Sequence, residues 1–536
     1  MSRTDVLIIG AGLSGAMTAT ALAGHGFDVH CLEQGSWPDY GKPVHPLEFD
    51  PETHRRWTRV PGERGSAGDY PIDASASPVE PLMWNGVGGS TVLYLAKWHR
   101  MLPSDFRVRS LDGVGEDWPF GYEELAPHYA EAERQLGVSG LAGDPAYPPA
   151  DPPPHPPLPL RDFGRRVAHG LDSLGWDWWP GASAVFPREN AARLPHSAPA
   201  AGEALGATNT GLRRTVKAST DVTHWPGALR AGVGLTTGAQ VRRLLFEGGR
   251  VAGVEYCAAD GRLRTMRAEH VILCANGIGT SRLLLASDAG AGRDAGAANS
   301  SGLVGRNLML HPLAAVAGVF DEEVDGAVSP LGTQLQSTHF YETDRRRGFV
   351  RGAKWGLQPA GGPESHLFSY PWTADPRRWG RDFSTTMRER LGRSAMWSIV
   401  SEDLPDPANR VVLDPRRRDR AGTPGVRVEY RQDGNSKRLL AFHIERAAEA
   451  LRAAGVRTVL ADPLVRASGW HLMGTARMGE DPDTSVVDPW GRSHDVPNLH
   501  VFDSSAWPTS SGFNPAATQA AMALRSSAHF LAEESW

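Results

Sequence analysis

Val6-Leu-Ile-Ile-Gly10-Ala-Gly12-Leu-Ser14-Gly15 is the stretch on which the fold turns. Its first four residues form a continuous apolar run, as expected of a parallel strand covered on both faces. Three glycines follow at the spacing of a dinucleotide fingerprint, where each meets a steric requirement, namely a tight turn, close approach of backbone to a pyrophosphate, and close packing of helix on strand. Small residues from Ala16 to Ala23 suit the helix that should come next, and its free N–H groups would face the phosphates. Phe27 to Leu32 reads as a second strand ending on Glu33, 18 positions after Gly15. An acid about 20 residues on is the expected acceptor for the adenosine ribose hydroxyls. Gly10, Gly12, Ser14, Gly15 and Glu33 are therefore the first candidates for holding a dinucleotide.

Outward from this unit, the chain of 536 residues exceeds what one core usually serves, about 250–300 residues, so two joined domains are expected. Hydrophobic residues make up 40% and charged residues 22%, the balance of an ordinary globular enzyme. Sixty-one acids against 56 bases leave a net charge of -5 with no basic footprint, which argues against nucleic acid as a partner. No apolar run approaches the roughly 18–20 residues of a membrane span, and the first residues carry no secretory pattern. The cytoplasm is the expected compartment. Cys31, Cys257 and Cys274 lie in apolar strand-like segments without CxxC spacing, so buried thiols are expected and no metal site.

A second glycine-rich element, Asn85-Gly-Val-Gly88-Gly89-Ser90-Thr91, follows a Pro- and Gly-rich stretch from about Trp37 to Pro81. The proline run from Asp144 to Pro157 excludes helix and central strand. Val251–Cys257 and Arg264–Ala268 read as paired strands leading into a further strand, Val271–Ala275. Trp-rich, alternating sequence then runs to about Asp462. The 17 tryptophans include Trp176, Trp178, Trp179, Trp355, Trp372, Trp379 and Trp397, whose indole faces could stack on a sugar or simply pack in a core.

Near the C-terminus stand His471-Leu-Met-Gly-Thr-Ala-Arg-Met-Gly479, Val486-Val-Asp488, Asn498-Leu-His-Val-Phe-Asp503-Ser504 and Asn514-Pro515-Ala-Ala-Thr518. In this order and spacing, and together with the loop at Asn85 to Thr91 and the turn Ala275 to Ser281, they resemble the signature of the glucose-methanol-choline oxidoreductases. The resemblance implies an α/β chain, α+β overall, with an FAD-binding Rossmann-type domain and a second domain of sheet plus helices that roofs the flavin. On that reading residues 1–36, 82–100, 220–310 and 463–536 form the discontinuous FAD domain, 37–81 and 101–219 are excursions and lid, and 311–462 bind substrate. Asn85, Gly88, Gly89, Ser90, Val241, Asp503, Ser504, Pro515 and Thr518 would join the first five residues around the cofactor.

The resemblance also places His471 beside the flavin N5 as general base and Asn514 as the group that orients the substrate oxygen. An imidazole, whose ordinary pKa is near 6.5, suits removal of a hydroxyl proton at neutral pH. Relatives with covalent flavin carry a histidine close to the glycine loop; the nearest here is His99, well past it, so FAD is expected to be non-covalent. The implied substrate is an alcohol group on a sugar, glycoside or aminoglycoside, with a non-sugar alcohol or hydroxynitrile cleavage on the same fold as alternatives. Oxygen, a quinone or a protein remain open as the electron acceptor.

Overall fold

The structure, a computed structural model, describes residues 2–38, 69–185, 217–287, 296–326 and 333–534. Of the expected excursions, residues 39–68 and 186–216 therefore lie outside the described residues.

The opening apolar run is the centre of a seven-stranded sheet. Ser2–Ile9 pairs in parallel with Val29–Leu32 on one side and with Leu263–Leu273 on the other. Gly234–Thr236 extends the sheet beyond Val29–Leu32, and Leu499–Val501 pairs in parallel with the end of Leu263–Leu273. The expected meander is present, Gln240–Glu247 and Arg250–Cys257 pairing antiparallel and the latter with Leu263–Leu273. Arg264–Ala268 and Val271–Ala275, read above as two strands, are one continuous strand, because its two halves serve different neighbours. Helix Leu13–Leu22 contacts the sheet and is buried along almost its whole length, with Ala516–Glu533 packed on it and Tyr122–Leu136 packed on that helix in turn. Small side chains permit this closeness: a Cβ at Gly15 would lie 1.9 Å from the Gly10 carbonyl oxygen.

A six-stranded antiparallel sheet forms the second layer system, in the order Thr458–Asp462, Leu313–Val319, Ser394–Ser401, Ala353–Pro359, Leu335–Ser337, Trp179–Pro180. Its edge strand Trp179–Pro180 comes from the stretch read as an excursion. Period-two alternation divides its faces. Ala353, Trp355, Leu357, Ala395, Trp397 and Ile399 point to one core, beneath helices Asp162–Leu174 and Gly434–Ala453. The intervening residues Lys354, Gly356 and Gln358, with Ser398 paired opposite Gly356, occupy the other face. A smaller sheet of Arg410–Arg418, Pro424–Glu429 and Ile72–Asp73 packs with Ile278, Leu308 and Leu310. The proline run from Asp144 to Pro157 holds no helix or strand, as expected. Among the described residues no helix is long and apolar enough to cross a membrane.

Candidate active site

A cavity of about 290 Å³ runs between the two sheets, and both ends of the sequence-derived site line it. At one end are Gly10, Gly12, Glu33, Asn85, Gly89, Ser90 and Val241; at the other are Ser504, His471, Asn514 and Pro515. Ser14, Gly15, Gly88, Asp503 and Thr518 do not line it. Ser14 accepts from Gln519 Nε2 at 3.0 Å, Thr518 pairs with Tyr129, and Gly88, at φ 97°, donates its N–H to the Ala11 carbonyl. Asp503 accepts from Asn276 N at 2.9 Å and from Thr280 at 2.6 Å, so it braces the turn that follows the central strand.

The dinucleotide end fits FAD. A Cβ on Gly12 would meet nothing closer than the Gly89 Cα at 3.7 Å, so the space beside it is cavity left for a ligand. Gly89, at φ 52°, could not take a side chain, since its Cβ would come within 2.7 Å of the Gly12 Cα. The two glycine loops thus form one cradle. Helix Leu13–Leu22 has no side-chain cap, leaving its first N–H groups for phosphate oxygens. Glu33, buried and with its pKa raised by that burial, accepts from Ala11 N and Gly35 N at 2.8 Å each, which aims the carboxylate at the cavity edge.

The other end is a relay of rings and amides. His311 Nε2 lies 3.1 Å from the Ser510 carbonyl oxygen, which can only accept, so this nitrogen carries the proton. The bare Nδ1 of His311 then receives a hydrogen bond from His471 Nδ1, 2.8 Å away. In neutral His471 this leaves Nε2 unprotonated, facing the cavity as a base. On the other flank Lys354 Nζ donates to Asn514 Oδ1 at 2.7 Å. An ammonium or amine held this way turns the amide so that its NH₂ group faces His471 Nε2, at 3.5 Å. The backbone is held to match: His311 and Ser511 both adopt left-handed φ, 53° and 60°, a strained state for such residues. Asp403 accepts from Leu310 N at 2.7 Å, and its own N–H donates to Ser510 Oγ, locking the two segments together.

One expectation needs correction and one open alternative narrows. The His471 pKa is held well below its ordinary value, by desolvation first and then by the positive charge that His311, Lys354 and Lys97 carry when protonated. Of the two roles left open for the seven tryptophans, stacking in the cavity is not seen, since none of them lines it, whereas Trp84 and Trp470 do. Trp355 and Trp397 fall on the strand positions that face the helices, and Trp379 lies on the surface. Sequence reading also missed Lys97, Lys354 and His311. Only the alternation along Ala353–Pro359, with a lysine and a glutamine on one parity and apolar residues on the other, could have flagged Lys354.

A parallel βαβ start, a double glycine cradle and a protonation-fixed histidine across one cavity define a flavin-type oxidoreductase. Profiles described as GMC oxidoreductase match residues 190–313 and 405–523, and one described as FAD binding domain matches residues 3–42. The chain is 39% identical to 2-methyl-1,2-propanediol dehydrogenase of Mycolicibacterium austroafricanum, over 98% of its length and 94% of that protein's. It is 31% identical to paromamine 6'-oxidase of Streptomyces fradiae, with 97% and 90% covered. The crystal structure of pyridoxine 4-oxidase from Mesorbium loti superimposes with a TM-score of 0.63 at 20% identity, covering 98% and 99% of the two chains. The chain belongs to the GMC oxidoreductases, and it is an FAD-dependent enzyme acting on alcohols.

Proposed function

We propose that the enzyme oxidises the carbinol of a small, oxygen-rich alcohol, with His471 as the base and Asn514 as the orienting donor. The observation that carries this reading is the relay from the Ser510 carbonyl through His311 to His471, which leaves Nε2 bare at the cavity. When bound, FAD supplies the acceptor for the two electrons leaving the carbinol carbon. The chain's own part is to hold the hydroxyl and take its proton. Asn514 Nδ2 can donate to the substrate oxygen while its Oδ1 is tied to Lys354, so it orients without competing for the proton.

The greater likeness to a diol dehydrogenase than to an aminoglycoside oxidase, together with the absence of the seven tryptophans from the lining, moves the substrate from a sugar towards a small diol. An aminoglycoside or sugar is the second reading, supported by the paromamine 6'-oxidase likeness. FAD is held without a covalent bond, since His99 is buried beside Lys354 and lines no part of the cavity. The three cysteines are buried and unpaired, which suits the reducing cytoplasm. Anaerobic mixing with small diols, sugars and aminoglycosides tests the reading: bleaching of the yellow flavin by a diol supports it. An unreduced flavin with cyanide release from a hydroxynitrile would overturn it.

A further inference from the structure

Lys97 is a buried amine that the reaction above does not use. It follows the second glycine loop and its side chain lines the cavity. Its Nζ donates to Gln358 Oε1 at 2.6 Å and to Ser398 Oγ at 3.1 Å. Both acceptors stand on the polar face of the second sheet, on neighbouring strands. A protonated lysine has three N–H bonds, and these contacts occupy two. Lys354 rises from the same face. Both Nζ atoms lie 3.6 Å from the point a Cβ on Gly356 would occupy, so the glycine makes room for a pair of amines beside Asn514.

Among the described residues neither amine forms an ion pair, and no acid offsets the burial that pushes Lys97 down to about 7 and Lys354 well below its ordinary value. A purely structural lysine is expected to find a carboxylate partner or to carry its head to solvent. This one ends in the substrate cavity on two neutral acceptors. The side chain is rigid there, its head fixed at two points, which is what a recognition group needs.

We propose that Lys97 is a specificity-determining residue whose third N–H takes a hydrogen-bond-accepting oxygen of the substrate, a hydroxyl or a carboxylate near the carbinol that His471 deprotonates. The proposal rests on the small-alcohol reading above and adds the second contact point that selects a bifunctional substrate over a simple alcohol.

Three alcohols sharing one carbon frame test it: 2-methyl-1,2-propanediol, neopentyl alcohol, in which a methyl replaces the tertiary hydroxyl, and hydroxypivalate, in which a carboxylate does. Rapid anaerobic mixing with the FAD-loaded wild type and Lys97→Met gives a limiting rate and an apparent dissociation constant for each. The wild type should bind the diol or hydroxypivalate on the order of 10- to 100-fold more tightly than neopentyl alcohol, the worth of a hydrogen bond to a charged group. Whichever of the two is favoured identifies the oxygen. Lys97→Met should bring the three within about threefold, leaving neopentyl alcohol nearly unchanged. Lys97→Met leaves Gln358 Oε1 and Ser398 Oγ without that donor, so FAD content and melting temperature check folding; if the variant does not load FAD, Lys97→Gln carries the same comparison. Equal binding of all three by the wild type, or a preference that survives in the variant, overturns the subsite while leaving alcohol oxidation standing. No reduction by any of the three removes the small-alcohol reading itself.

Discussion

The two ends of the cavity are built by opposite means. Around the dinucleotide end the decisive contacts are backbone contacts: Gly10 and Gly89 at positive φ, the Gly88 N–H on the Ala11 carbonyl, an uncapped helix start. At the carbinol end, side chains decide. Arg351 binds Asp105 at 2.6 Å, Glu402 at 2.7 Å and Asp112 at 3.1 Å, all four side chains almost wholly buried. Tyr341 donates to the same Asp105 and accepts from Gly512 N, two residues before Asn514. Backbone cradles accept any ligand with a diphosphate, whereas a network of buried charges can be altered residue by residue. One end can therefore serve every member of a flavin family while the other changes substrate.

The comparison breaks first at Gly12. A Cβ there meets nothing closer than 3.7 Å within the protein, so Gly12→Val should fold yet lose flavin, because the side chain occupies pyrophosphate space. The absorbance of the purified variant checks this, and a fully loaded protein would refute the cradle. Gly15→Val differs in kind: its Cβ would collide with the Gly10 carbonyl, so the fold itself should fail.

At the other end, His471→Ala should leave FAD content intact, as no dinucleotide contact depends on that ring. Flavin reduction by substrate should slow by about 10²–10⁴-fold, the usual contribution of a positioned acid-base group. His311→Phe should give part of the same loss, because His471 would no longer be held in the tautomer with Nε2 bare. Stopped-flow reduction of all three proteins orders them, and a His471→Ala enzyme at the parental rate would sink the mechanism. Next in size, Arg351→Met leaves three buried carboxylates without their cation. It should cost about 3–5 kcal/mol in urea unfolding, the range seen when one partner of a buried pair is removed.

This division also explains what could be read from the sequence. Glycine spacing, an apolar run and an acid at a set distance are local and periodic, so Gly10, Gly12 and Glu33 were legible from the residues alone, Asn85 and Gly89 were legible through the resemblance, and all five line the cavity. His471 and Asn514 were legible through the resemblance, since their flanking residues travel with them. Lys97, Lys354 and His311 were not. Each gains its role from a neighbour far away in the chain, as when Lys354 meets Asn514 across 160 positions. The tryptophans were left open between stacking and packing for a related reason: composition counts indoles, but strand parity decides which face they occupy. The ordinary pKa quoted for His471 is that of a solvated imidazole, and desolvation with neighbouring positive charge lowers it here.

The smallest expected effect sharpens the comparison most, because Lys354 touches neither the proton nor the cofactor in the mechanism above. It positions Asn514 by occupying its Oδ1, and it is one of the charges that lower the His471 pKa. Lys354→Met should therefore act in two separable ways. The amide of Asn514 becomes free to turn, so the limiting rate of flavin reduction should fall about threefold to tenfold, the worth of one hydrogen bond. The pH dependence should shift as well. His471 works only while neutral, so the rate is full above its pKa and lost as pH falls through it. In the wild type that loss comes well below pH 6.5; without the Lys354 amine the pKa rises and the loss begins at higher pH. A residue with a merely structural role would lower the rate without moving the acid limb, and a limb unchanged between the two enzymes would place Lys354 in that class.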